Sequence, residues 1–86
     1  MHRTTARFWT FFNRLPEALQ TVARKNFELL KDNPSHPSLR FKKVGRLWSV
    51  RVGINHRALA IQDGNDFTWV WIGAHDEYAR LIKQQD

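Results

Sequence analysis

The sequence predicts a single α+β domain: an N-terminal helical hairpin packed on a four-stranded antiparallel sheet, followed by a short C-terminal helix. Three observations predict it. Apolar residues in the first half recur with a helical period. The second half breaks into four short strand-like runs separated by glycine-containing turns. A chain of 86 residues, here taken as one domain over 1–86, buries only about two-thirds of its unfolded surface, so it supports one modest core.

The first helix is read from "TTARFWTFFNRL", where Phe8, Phe11, Phe12 and Leu15 fall at i, i+3, i+4 and i+7 and make one apolar stripe. Thr4 or Thr5 caps its start. It ends at Leu15, because the residue before a proline avoids the α region. Pro16 suits the first turn of the second helix, with Glu17 near the positive end of its dipole. That helix runs through "EALQTVARKNFELLKD" on a stripe of Leu19, Val22, Ala23, Phe27 and Leu30, and "NPSHPS" stops it with two prolines. The strands are "SLRFKKV", "LWSVRVG", "HRALAIQ" and "FTWVWIG", joined by "GR", "GIN" and "DGND". Connections this short imply an antiparallel meander. "HDEYARLIKQ" is the last helix, with Asp76 and Glu77 in its first turn and Lys83 near its end. The helical hairpin covers one face of the sheet and leaves the other as the working surface.

Composition excludes several classes. At 42% hydrophobic and 13% aromatic residues the chain is not a disordered polar tract. It has no cysteine, hence no disulfide or thiolate chemistry, which fits a reducing compartment. No apolar run approaches the ~20 residues of a membrane span, and "MHRTTARFWTFF" has no secretory pattern. A soluble, cytoplasmic protein with no membrane partner is expected. Neither a histidine or carboxylate cluster with metal-ligand spacing nor a glycine-rich phosphate loop is present, so no metal or cofactor is expected.

The net charge of +6 is concentrated. No acid occurs between Asn33 and Gln62, a stretch that carries Arg40, Lys42, Lys43, Arg46, Arg51 and Arg57, while the other bases are matched by the eight acids. A basic patch of this kind suits a polyanion or an acidic protein, or is simply a solvated sheet face. If the connection between the second and third strands is Gly53-Ile54-Asn55, Arg51 stands directly across from Arg57. Opposed like charges destabilise a sheet, and a phosphate held between two guanidinium forks would offset the cost. A two-residue turn would instead send the two arginines to opposite faces.

His75 follows the strand "FTWVWIG" after Ala74 and brings an imidazole, a side-chain type that can act as acid or base near neutral pH. It shares strand parity with Trp69 and Trp71, so reaching Arg57 calls for a bulge or kink, for which Gly73 is well placed. Of Lys42 and Lys43, only one can face the arginines. Tyr78, one turn into the last helix, either works beside His75 or closes the core. Trp69 and Trp71 either stack bases or fill the core. His36 is read as a turn residue and His56 as a hairpin residue.

Three segments together, "LPEALQTVARKNFELLKDNPSHPSLRFKKV", "WSVRVGINHRALAI" and "WVWIGAHDEY", resemble the RelE/ParE superfamily of toxins from bacterial type II toxin–antitoxin systems. The resemblance covers nearly the whole chain, and its specificity lies in the ordered set of segments. It implies the same α+β architecture and a ribosome-dependent mRNA endoribonuclease, or mRNA interferase, that inhibits translation. In that chemistry the RNA 2′-hydroxyl attacks the adjacent phosphate and the 5′-oxygen leaves. Carried over, Arg57 matches the arginine opening the third strand, and Arg51 a basic position on the strand before it. His75 falls where some members have arginine and the YafQ and YoeB groups have histidine, and Tyr78 lies near an aromatic position. Arg40, Lys42, Lys43 and Arg46 become RNA-binding candidates. The implied partners are a cognate antitoxin, the ribosome and its mRNA, with operator DNA met only through the toxin–antitoxin complex. Two rivals stand beside this reading: a ParE-like inhibitor of DNA gyrase, and a non-enzymatic nucleic-acid or partner-binding module.

Overall fold

The N-terminus is where the architecture first departs from expectation. A computed structural model of the chain, describing residues 1–84, opens with a strand, β1 (His2–Thr4), ahead of the helices α1 (Ala6–Asn13) and α2 (Glu17–Asp32). A 3-10 turn at Pro37–Leu39 leads into β2 (Lys42–Val44), β3 (Leu47–Val52), β4 (His56–Asp63), β5 (Asp66–Ala74) and α3 (His75–Gln84). The sheet therefore has five strands in the order β1-β5-β4-β3-β2. β2 to β5 form the expected antiparallel meander, and β1 adds a parallel edge, pairing His2 with Phe67 and Thr4 with Trp69. The four-stranded, wholly antiparallel sheet is thus corrected to a mixed one. Three residues are too few to show a strand period, and β1 exists because β5 offers it a free edge.

α1 starts where Thr5 caps it, its hydroxyl accepting the Phe8 N–H at 3.0 Å. Pro16 precedes α2, and the two helices pack as a hairpin on one sheet face. Phe8, Phe12, Ala23, Leu30 and Leu39 meet Val50, Val52, Ala58, Ala60, Trp69 and Ile72 there. The opposite face carries a smaller cluster in which α3 takes part: Tyr78, Leu81 and Ile82 pack against Leu59 and Trp71.

Two local details differ from the sequence reading. The first meander strand is shorter than "SLRFKKV", because the Pro37–Leu39 turn consumes its start and Arg40 takes a left-handed conformation, φ 46°. The bulge also lies elsewhere. Leu59 pairs with Trp71 and Ala60 with Trp69, so Val70 is the extra residue. This switches parity along β5 and puts Trp69 and Trp71 on opposite faces. Gly73 has a different duty: a Cβ there would stand 2.5 Å from Cζ2 of Trp71, whose indole lies over it.

Candidate functional site

The connection between β3 and β4 is three residues long, Gly53-Ile54-Asn55. Gly53 adopts φ +64°, a conformation that β-carbons disfavour. This length sets the register, and Arg51 stands directly across from Arg57. Arg57 in turn pairs with Gly73 on β5. By alternation, all three face away from the helical hairpin, on the side that carries Leu59 and Trp71.

Each arginine is tied to the hairpin end. Arg51 Nε donates to the Gly53 carbonyl at 3.0 Å, and Arg57 Nη1 to the His56 carbonyl at 2.8 Å. The Arg57 guanidinium lies 5.8 Å from the centroid of the Tyr78 ring, a cation–π contact. The Tyr78 ring is 5.5 Å from that of His75. His75 is exposed, and its backbone N–H donates to the Asn55 carbonyl at 2.7 Å. One hairpin end therefore gathers Arg51, Arg57, Tyr78 and His75. No kink at Gly73 is needed, because β5 runs on to Ala74 and α3 begins at His75 itself.

The electrostatics follow from this crowding of cations. Burial, then the positive charges of Arg51 and Arg40, hold the Arg57 guanidinium below its usual proton affinity, while Tyr78 acts the other way. Among the described residues, no ion pair forms on Arg40, Arg51 or Arg57. Positive charge that no carboxylate neutralises, at a half-buried position, favours an anionic ligand.

The other candidates divide by position. Lys42 pairs with Ser49 and shares the arginine face, while Lys43 pairs with Trp48 and shares the other face. Arg46 lies in the β2–β3 turn, at the far end of β3 from Arg51. His36 caps the 3-10 turn, its Nδ1 accepting the Ser38 N–H at 3.2 Å. His56 pairs with Val52 and Ala74 on the hairpin-covered face. Trp69 is a core residue, 2% exposed, and Tyr78 at 8% has its ring occupied by neighbours rather than open to a base. Among the described residues there is no group of three histidine, cysteine or acidic side chains placed to hold a metal.

Sequence reasoning missed Asn26. Its side-chain amide, projecting from α2, donates to the Arg51 carbonyl at 3.0 Å and fixes the end of β3 from the other face. An asparagine inside a helical run carries no signal for such a long-range bond. An apolar hollow of 330 Å³ also lies on that other face, lined in part by Phe8, Trp9, Phe12, Phe27 and Trp69, and it contains none of the arginine, lysine, histidine or tyrosine candidates. No helix among the described residues is long and apolar enough to cross a membrane.

No protein-family model matches the chain, and no curated protein matches it in sequence. Solved structures do share its fold. A chain of the RelB–RelE antitoxin–toxin complex from Methanococcus jannaschii superposes with a TM-score of 0.72 at 14% identity, over 92% of this chain and 96% of that one. The YoeB/ParE toxin from Agrobacterium tumefaciens gives 0.63 at 16% identity, over 86% and 96%. The isolated E. coli RelE toxin gives 0.63 at 9% identity, over 98% and 96%. The chain has the fold of RelE-type toxins along nearly its whole length.

Proposed function

We propose that the protein is the toxin of a type II toxin–antitoxin system, a member of the RelE/ParE superfamily that cleaves mRNA on the ribosome and is neutralised by a cognate antitoxin. The observation that carries this reading is the pair Arg51 and Arg57, directly opposed in register, with His75 pinned beside them through Asn55. The likeness in fold to toxins solved alone and in RelB–RelE complexes supports the toxin role and the antitoxin partner.

In the proposed reaction the RNA 2′-oxygen attacks the adjacent phosphorus, the bond to the 5′-oxygen breaks, and a 2′,3′-cyclic phosphate and a 5′-hydroxyl result. The 2′-hydroxyl loses a proton and the leaving oxygen gains one. His75, exposed beside the arginines, serves as general acid or base for one of these transfers. Arg51 and Arg57 bind the phosphate oxygens and stabilise the charge that grows on them in the transition state. Tyr78 holds the Arg57 guanidinium through its ring, which also neighbours the ring of His75. Lys42, on the same face, extends the positive surface along the RNA, and Arg40, Lys43 and Arg46 add to the field that draws the ribosomal complex.

The test is expression in a translating extract, with mapping of messenger 5′ ends. Cuts confined to translated messages, lost in His75→Ala while the variant still folds and binds its antitoxin, are the expected result. Intact messages with accumulating gyrase-linked DNA breaks would instead place the protein with gyrase inhibitors. Growth arrest that is indifferent to His75 would mark a non-enzymatic binder.

A further inference from the structure

The hairpin end that carries Arg51 and Arg57 is fixed at nearly every residue. The Asn26 amide of α2 donates to the Arg51 carbonyl at 3.0 Å, and Arg51 Nε donates to the Gly53 carbonyl at 3.0 Å. Val52 is buried, and Gly53 lies against α2, where a β-carbon would stand 3.6 Å from Cδ2 of Leu19. The Asn55 carbonyl accepts the His75 N–H at 2.7 Å, and the His56 carbonyl accepts Arg57 Nη1 at 2.8 Å. Between these anchors stands Ile54, 77% exposed. Loop tips usually carry asparagine, aspartate, serine or glycine, which hydrogen-bond locally or take positive φ. Ile54 does neither, since its φ is negative and its side chain has no polar atom.

A lone exposed isoleucine means little by itself. Its position gives this one a use. The Gly53 carbonyl is tied to Arg51 and the Asn55 carbonyl to His75, so the residue between them has a fixed place beside both the phosphate ligands and the proton carrier of the proposed reaction. A β-branched side chain adds rigidity of its own, because few χ1 rotamers are open to it. The hairpin therefore ends in a stiff apolar prong next to a pair of cations. The cations suit the backbone of a nucleic acid, and a prong beside them meets what that backbone carries, the bases. Attack on the phosphorus needs the 2′-oxygen in line with the bond to the leaving 5′-oxygen. Continuous base stacking holds the backbone off that line. Apolar side chains, isoleucine among them, unstack neighbouring bases by insertion in other nucleic-acid complexes.

We propose that Ile54 is a wedge that enters between two neighbouring bases of the messenger and parts them, so that the linkage held by Arg51 and Arg57 aligns for attack. This rests on the nuclease reading above, and its test has a readout that does not depend on cleavage. The probe is 2-aminopurine, whose fluorescence rises when it leaves a base stack. Ribosomes are programmed with short messengers in which the codon next to be read is 2′-O-methylated, hence uncleavable, and carries 2-aminopurine at each of its positions in turn. Wild-type protein, Ile54→Ser and Ile54→Leu are added, and the amount bound is measured in parallel by co-sedimentation with the ribosomes.

With the wild type, fluorescence should rise severalfold at adjacent positions of the codon. Ile54→Ser should bind the ribosomes as well as the wild type does, without the rise. On an unmodified messenger it should cleave about ten- to a hundredfold more slowly in single turnover. Ile54→Leu, which keeps an apolar body, should restore most of both signals. The melting temperature should be the same for all of them, because the side chain is exposed. A rise that Ile54→Ser retains overturns the wedge, as does a wild type that binds without any rise. Weaker ribosome binding by Ile54→Ser, with the rise per bound protein unchanged, also overturns it and would make Ile54 an anchor on the ribosome instead. An Ile54-dependent rise from a protein that leaves translated messages intact supports the wedge and overturns the nuclease reading alone. Message cleavage without such a rise does the reverse, and a wild type that does not bind the ribosomes overturns both.

Discussion

The candidate side chains differ in how firmly they are placed, and their variants should differ accordingly. Arg57 is held by a backbone carbonyl and an aromatic ring, and Arg57→Ala is expected to lower the rate of message cleavage by ~10²–10³ with little change in melting temperature. Tyr78→Phe keeps the ring under Arg57 and should retain most activity, whereas Tyr78→Leu removes the cation–π contact and should lower it; single-turnover cleavage rates separate the two. At Gly73 the expected effect is on stability. A β-carbon would enter the space of the Trp71 indole, and Gly73→Ala should cost about 1–3 kcal/mol in urea unfolding. His2 gives a pH signature. Its Nδ1 accepts the Trp69 indole N–H at 3.1 Å, so the bond needs a neutral ring. Burial, then the N-terminal ammonium and Lys31, hold the imidazole below its ordinary value. The unfolded chain thus binds this proton more readily. The stability His2 contributes is fully present above pH ~6.5 and is lost as pH falls below it. Melting curves should move downward between about pH 7.5 and pH 5.5, and the shift should shrink in His2→Phe.

Among the elements, long periodic segments were legible and short or irregular ones were not. The stripes Phe8-Phe11-Phe12-Leu15 and Leu19-Val22-Ala23-Phe27-Leu30 announce α1 and α2; α2 forms where the period puts it, while α1 stops at Asn13, short of Leu15. The meander was legible too, because the short connections leave β2 to β5 no other topology. Three features escaped. β1 pairs through its backbone, which composition does not report. The bulge at Val70 reverses the parity of Trp69 and Trp71, and an alternation rule has no means of seeing an inserted residue. Arg40 breaks the first meander strand by adopting a conformation that arginine rarely takes. The arginine pair was legible as far as its register allowed: Gly53-Ile54-Asn55 offered a three-residue loop, and the structure contains it. The tie from His75 to Asn55 is a backbone bond and was not foreseeable. Leu30, 2% exposed where α2 meets the sheet, tests the importance of that contact. Leu30→Ala should destabilise the fold by about 2–5 kcal/mol, measured by chemical denaturation.

For the molecule as a whole, the charge distribution and the layering act together. One face of the sheet is closed by α1 and α2; the other is only partly closed by α3, and carries the Arg51–Arg57 pair. Affinity for RNA should therefore fall steeply with added salt, since bound cations are released from the phosphates on association. The sheet's outer borders have a further consequence. One is β1, three residues long and bearing Arg3; the other is β2, three residues long and bearing Lys42 and Lys43. Arg3 is paired with Asp66, so the lysines of β2 carry the rim charge, and strands this short make poor templates for a neighbouring copy. Molecules crowded together would find little along these flanks on which to zip into fibrils.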